Sequence, residues 1–261
     1  MTETALRVFD THCHLDDEKF APDREEAYQR MLAAGVSRCV CVGSDLPSSR
    51  RCLDFAASHE GVYAAAGVHP HEAQAAPADY LLQLRDLLRE EKAVALGEIG
   101  LDYFYDFSPR DVQKRVLQEQ LDLAVALDKP VIFHIRDAHG DMLNLFRARS
   151  SLPAGVIHCF SGSAETAREY VKMGFYISFA GALTFKKAPH LWDAARAVPP
   201  ERLLVETDSP YLSPEPLRGR RNEPANVVWV LKKLAALREI PEDEMARITF
   251  ENARRFYRLP D

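Results

Sequence analysis

No apolar stretch in the chain approaches the roughly 20 residues that a helix needs to cross a bilayer, which excludes a helical membrane span. Residues 1–7 include Glu3 and hold no apolar core of the kind a secretory leader requires. Cysteines are few: five in 261 residues, an odd number, with no C-x-x-C pair. That pattern excludes a disulfide scaffold and predicts reduced thiols in a cytoplasmic protein. No charge sign dominates, since 33 Lys and Arg stand against 39 Asp and Glu, a net charge of −6. Such a balance argues against coating nucleic acid by bulk charge and leaves a local basic site open. No Ser/Gly-rich or Pro-rich linker interrupts residues 1–261, so one domain is expected, as in α/β barrels of about 200–250 residues or more. With 47% hydrophobic and 28% charged residues, the composition is that of a globular chain with a large core.

What the chain does have is an alternation. A short apolar run, a polar turn and a longer amphipathic stretch recur, with runs at 7–10, 38–42, 62–68, 93–96, 130–134, 155–158, 175–179 and 202–206. Several are β-branched and nearly all apolar, as strands buried on both faces should be. The stretches between them read as helices. Ser108 is an expected N-cap with Pro109 in the first turn, and Val116, Leu117, Leu123, Ala124 and Leu127 form an apolar stripe behind it. Val227, Val230, Leu231, Leu234 and Leu237 form another, Gly35 and Gly174 mark helix ends, and 241–257 reads as an additional helix with an acidic first turn. Eight such alternations predict an α/β fold: a single parallel (β/α)8 TIM barrel with an extra C-terminal helix. A doubly wound open sheet is the alternative, but no G-x-G-x-x-G follows any strand.

In such a barrel the chemistry sits at the C-terminal ends of the strands. There the sequence places Asp10-Thr11-His12-Cys13-His14, Gly67-Val68-His69-Pro70-His71, Gly97-Glu98-Ile99-Gly100, His134-Ile135-Arg136-Asp137, His158-Cys159-Phe160-Ser161-Gly162 and Glu206-Thr207-Asp208-Ser209-Pro210. Alternate residues of an extended chain point the same way, so His12 and His14 can reach one ion. Joined by Glu98, His134, His158 and Asp208, they form a set of imidazoles and carboxylates without thiolate, suited to Zn, Mn, Fe, Co or Mg. Six ligands are too many for one catalytic ion with open positions and fit two. A carboxylate bridging both would hold them roughly 3.5–4 Å apart, and Glu98, in the middle of the series, is the candidate bridge.

These blocks, together with Gly97-Glu98-Ile99-Gly100-Leu101-Asp102-Tyr103, Pro130-Val131-Ile132-Phe133-His134-Ile135-Arg136 and Arg218-Gly219-Arg220-Arg221-Asn222-Glu223-Pro224, resemble the TatD family of metal-dependent deoxyribonucleases. The likeness runs in order from residue 8 to about 224. It implies a TIM-barrel hydrolase of the amidohydrolase superfamily, with one divalent ion (Mg, Mn or Zn) on His12, His14, Glu98 and Asp208 and a second on Glu98, His134 and His158. The reaction it implies is phosphodiester hydrolysis, with DNA as substrate and partner. The nucleophile would be a water acidified between the two ions, and Asp208 would orient it or take its proton; Asp208 and Glu98 are the expected catalytic residues.

Around this centre, Glu206 is read as a supporting carboxylate. His69, Arg136, Arg220 and Asn222 are candidate substrate contacts, with Arg218 and Arg221 adding positive charge. Tyr103 and Phe104 are candidates to stack on a base. Cys13 should point away from its histidine neighbours. His59, His139 and His190 read as surface residues, and His71 is left open. No obligate protein partner is evident in the sequence. The rival readings are an amide or ester hydrolase of the same superfamily, such as an aminoacyl-tRNA deacylase, and a non-catalytic nucleic-acid-binding barrel.

Overall fold

The computed structural model describes residues 7–260; the leader reading of residues 1–6 lies outside them. Eight strands form one parallel sheet in chain order: β1 (Val8–Cys13), β2 (Val36–Val42), β3 (Val62–Ala66), β4 (Ala93–Asp102), β5 (Val131–Arg136), β6 (Gly155–Ile157), β7 (Tyr176–Phe179) and β8 (Leu203–Val205). The helices are α1 (Arg24–Ala33), α2 (Leu46–Ser58), α3 (Tyr80–Leu87), α4 (Arg110–Leu127), α5 (His139–Ala148), α6 (Ala164–Lys172), α7 (Pro189–Ala197), α8 (Val227–Arg238) and α9 (Glu242–Phe256). The sheet curls until its edges meet. A parallel bridge joins Cys13 to Ser209, the Asp208 N–H donates to the His12 carbonyl at 2.9 Å and the His14 N–H to the Ser209 carbonyl at 2.7 Å. The TIM barrel with its extra C-terminal helix is therefore the fold.

Strands buried on both faces need two cores, and both are present. One lies between barrel and helices; it takes the α4 stripe of Val116, Leu117, Leu123 and Ala124 and the α8 stripe of Val227, Val230, Leu231 and Leu234. The other fills the barrel interior with Phe9, Val40, Ala65, Ile132, Tyr176 and Leu204 and is continued by Phe250, Phe256 and Tyr257 of the C-terminal segment. Phe9 lies 5.9 Å from both Phe250 and Tyr257 between ring centroids. Thus α9 closes the N-terminal end of the barrel, and the opposite rim is left to polar side chains.

Strand ends shift from expectation by a few residues, and two boundaries bear on the site. Helix α4 starts one residue late, with Pro109 as its N-cap. Ser108 is buried instead, donating to the His71 carbonyl (2.9 Å) and accepting from the Gln74 N–H (3.0 Å); a tertiary contact has taken the hydroxyl that would have capped the helix. Strand β4 does not stop at Leu96 but pairs with β5 as far as Asp102↔Arg136. Gly100, at φ 157°, makes this possible, because a Cβ there would lie 1.8 Å from the His134 carbonyl oxygen. Gly35 and Gly174 end α1 and α6 at φ 83° and 90°, conformations that glycine adopts freely.

Candidate metal centre

Five strand ends bring their imidazoles and carboxylates to one place. His12 Nε2 and His14 Nε2 are 3.2 Å apart, as the alternation of β1 requires. Asp208 Oδ1 lies 3.7 and 3.5 Å from those two nitrogens. Asp208 itself sits in the left-handed region at φ 55°, a costly conformation for a non-glycine residue that its N–H bond to His12 helps to hold. On the other side His134 Nδ1 and His158 Nε2 are 3.3 Å apart. Glu98 stands between the two groups. Its Oε2 is 3.4 Å from His12 Nε2 and 3.9 Å from His14 Nε2, while its Oε1 is 2.7 Å from both His134 Nδ1 and His158 Nε2.

These residues fit divalent cations. Donor atoms sharing an ion at about 2.1 Å lie about 3.0–3.4 Å from one another, and several spacings here match. The hydrogen bonds on the far sides of the rings decide which nitrogens carry lone pairs. His14 Nδ1 is 2.8 Å from the Val42 carbonyl, so its proton belongs there and Nε2 is free toward the centre. His134 Nε2 is 3.0 Å from Asp102 Oδ2, which leaves Nδ1 for the centre. His158 Nδ1 faces Glu206 Oε1 at 3.3 Å as a charge contact and makes no hydrogen bond. Carboxylates and carbonyls behind ligating imidazoles are the usual supports of a metal site. Cys13 stays out of it: its Sγ points at the Val40 carbonyl, 3.4 Å away.

Burial would raise the Glu98 carboxyl, but the imidazoles of His158, His69 and His12 outweigh it and hold Glu98 well below the usual carboxylate range. Asp208 is likewise lowered against burial, chiefly by His14. Burial opposes charge on His14, yet Asp208 and Glu98 push it up to about 10. His134 and His158 are raised against burial as well, by Asp102 and Glu98 in the first case and by Glu98 and Glu206 in the second. His12 goes the other way, lowered by burial and by His158.

His69 differs in kind from the other histidines. Its Nδ1 accepts the His71 N–H at 3.1 Å, so a neutral ring carries its proton on Nε2, 3.5 Å from Glu98 Oε1. Burial keeps the ring neutral by lowering its pKa to about 4. It thus offers the centre a donor rather than a lone pair. Glu206 is buried and accepts the Cys159 N–H at 2.6 Å besides facing His158.

Among the expected substrate contacts, Arg136 stands half-buried over the rings of Phe104 (4.0 Å) and Tyr105 (4.8 Å). Arg220 is exposed on the segment after β8. Asn222 has a different part. It is fully buried; its amide donates to the Thr207 and Tyr211 carbonyls (3.0 and 2.7 Å) and its oxygen accepts from Glu223 N and Asn226 Nδ2 (3.0 and 2.9 Å). Nothing of it is left for a substrate, and it shapes the loop that carries Asp208. Arg221 is likewise engaged, in an ion pair with Asp23. Tyr103 is half-buried and donates to Asp141 at 2.7 Å, whereas Phe104 is exposed. His190 is exposed, but His139 is not at the surface: its Nδ1 meets the Tyr170 hydroxyl at 3.0 Å and its Nε2 is buried.

Two functional-looking carboxylates escaped sequence reasoning. Asp102 Oδ2 lies 2.9 Å from His71 Nε2 and 3.0 Å from His134 Nε2, and its Oδ1 accepts the N–H groups of Phe104 (3.0 Å) and Tyr105 (2.9 Å). Its signal was the period of two that links Glu98, Gly100 and Asp102, hidden by ending the strand early. Asp10, fully buried, accepts from Thr207 N (2.8 Å) and Oγ1 (2.6 Å) and so ties β1 to the segment behind Asp208. Nothing in the sequence marks it apart from its neighbours.

A parallel eight-stranded barrel with this rim of imidazoles and carboxylates defines a metal-dependent hydrolase. Residues 9–258 match the family model described as TatD related DNase. The chain belongs to the TatD family. It is similar to an uncharacterized metal-dependent hydrolase, YabD, of Bacillus subtilis, with 43% identity over 253 residues, 97% of this chain and 99% of that one. It is 37% identical to a protein of Cronobacter sakazakii named as the 3'-5' ssDNA/RNA exonuclease TatD, over 96% of this chain and 97% of that one. Among solved structures, the TatD homologue YjjV of Escherichia coli superposes with a TM-score of 0.93 at 35% identity, covering 98% of this chain and all of that one.

Proposed function

We propose that this chain is a nuclease that hydrolyses the phosphodiester bonds of DNA as an exonuclease, with two divalent cations as cofactors. The observation that carries the reading is Glu98, whose two oxygens face two separate sets of donors, His12, His14 and Asp208 on one side and His134 and His158 on the other. A similar protein named as an ssDNA/RNA exonuclease supports the substrate.

Two divalent cations held there supply Lewis acidity, acidifying water and neutralising the charge that develops on a phosphoryl group. The residues do the rest. Asp208 orients the attacking water and receives its proton. His69 donates its Nε2–H to a non-bridging phosphoryl oxygen as charge builds there. Arg136 has no carboxylate partner among the described residues, so its charge is available to a phosphate. Asp102 holds His134 in the required tautomer, and Glu206 sets a negative charge 3.3 Å behind His158 Nδ1. Five free thiols, four of them buried, suit a reducing cytoplasm, and among the described residues no helix is long and apolar enough to cross a membrane.

The test is turnover of end-labelled single-stranded and duplex DNA by metal-stripped protein, with Mg, Mn, Zn or nothing returned. Stepwise shortening that needs metal and is lost in Glu98→Gln and Asp208→Asn is the expected result. Intact DNA under every metal, with the ions shown to be bound, overturns the nuclease reading and directs attention to ester and amide substrates, aminoacyl-tRNA among them.

A further inference from the structure

Large exposed rings gather at the rim of the barrel. Phe104, Tyr105 and Phe107 are 56%, 46% and 66% exposed on the loop between β4 and α4, and Tyr211 is 47% exposed after β8. Tyr105 and Phe107 stack with centroids 5.1 Å apart at 24°. Both rings meet His71 edge-on, at 5.4 and 4.8 Å, and His71 is hydrogen-bonded to the Asp102 that supports His134. Tyr211 meets His14 at 6.2 Å. One group of rings therefore lies next to each half of the metal centre, Tyr211 directly at His14 and Tyr105 and Phe107 by way of His71 and Asp102. They come from strands four places apart in a ring of eight, hence from opposite sides of the mouth. Each group carries a cation: Arg136 over Phe104 and Tyr105, and Lys19 over Tyr211 at 4.4 Å.

We infer that these rings are base-stacking platforms on both sides of the centre, the residues by which this chain would grip an unpaired strand. The inference rests on the nuclease reading and deepens it. Exposed aromatic faces are costly in water unless something flat covers them, and nucleobases do so without regard to sequence. In a duplex those faces are already stacked; in a single strand they can turn onto protein rings. Arg136 and Lys19 put a cation beside each group of rings, so the charge is complementary to a phosphate backbone as well as the shape to a base. The scissile phosphate is then held between two gripped bases, in front of Glu98.

Binding of fluorescent phosphorothioate decanucleotides, whose backbone resists hydrolysis, tests this in Mg²⁺. The probes are a thymidine strand, its abasic counterpart with the same charge, and a blunt duplex. The expected order is the thymidine strand far above the other two. Phe107→Ala and Tyr211→Ala should each weaken the thymidine strand roughly 5- to 150-fold, the equivalent of about 1–3 kcal/mol per stacked base. Neither should alter binding of the abasic strand, and Phe107→Trp should keep the affinity. Leu82→Ala, which removes a 62% exposed apolar group on α3, is the control and should change nothing. Equal affinity for the base-bearing and abasic strands, indifference to both ring substitutions, or no binding of any probe overturns the inference. A protein that discriminates the strands yet hydrolyses no phosphodiester retires the nuclease and keeps the platforms; a nuclease that does not discriminate them does the reverse.

Discussion

Replacing Asp102 by asparagine alters one charge and reverses two hydrogen bonds, those to His71 and His134, and its consequence can be followed atom by atom. Oδ1 of Asp102 accepts two backbone N–H groups, from Phe104 and Tyr105. An asparagine must therefore keep its oxygen on that side and turn its NH₂ toward His71 Nε2 and His134 Nε2. Facing a donor, His134 can only accept at Nε2, which moves its proton to Nδ1. Nδ1 is the atom 2.7 Å from Glu98 Oε1, on the side of the centre. A cation must then displace that proton and loses the negative charge behind the ring. Disrupting such a support costs about 10- to 100-fold in metal affinity, or about 1.4–2.7 kcal/mol. Calorimetric titration of Mn²⁺ into metal-stripped wild type and Asp102→Asn measures this directly. The fold should survive, because both backbone bonds are kept, and thermal unfolding without metal checks it. An affinity within twofold of wild type in a folded variant would refute the tautomer argument and with it the part given to Asp102.

Metal uptake should also depend on pH. His14, raised to about 10, is protonated at neutral pH in the metal-free protein, and that proton must leave when a cation binds. Apparent affinity should rise about tenfold per pH unit for each proton displaced as pH climbs toward about 10, with proton release visible in buffers of different ionisation enthalpy; a pH-independent affinity contradicts this. In the metal-free protein the sign is opposite. A raised histidine contributes stability that is complete below its unfolded pKa of about 6.5 and is lost as pH climbs through its folded value, so thermal stability should fall on the alkaline side. Thr207→Val removes the hydroxyl bound to fully buried Asp10 and should cost about 1–3 kcal/mol, read as a lowered midpoint in urea. Gly100→Ala places a methyl group 1.8 Å from the His134 carbonyl oxygen. It should destabilise the protein by about 1–3 kcal/mol and weaken metal uptake by shifting His134, whereas Gly140→Ala, where a Cβ meets nothing within 4 Å, should be tolerated.

The repeat of apolar run and amphipathic stretch was enough to announce the barrel, because burial on both faces demands all-apolar strands and a covering helix demands a stripe. The chemistry was partly legible for a related reason. His12 and His14 alternate along one strand, so local geometry alone makes them neighbours. What lies behind the imidazoles was only partly legible. Glu206 could be read as a supporting carboxylate because it alternates with Asp208, but Asp102 and Asp10 act across strands that are far apart in the chain, and a carboxylate reads the same whether it supports a ring or faces solvent. Asn222 and Arg221 looked like substrate groups because they are polar and near Asp208 in sequence; closure of the barrel between β1 and β8 consumed their hydrogen bonds instead. The rings of Tyr105 and Phe107 could have belonged to the core on hydrophobicity alone. Only the packing of β4 against β5 as far as Asp102, with Gly100 admitting the His134 carbonyl, turned them out to the rim, since that pairing decides where the strand ends and which way its loop departs.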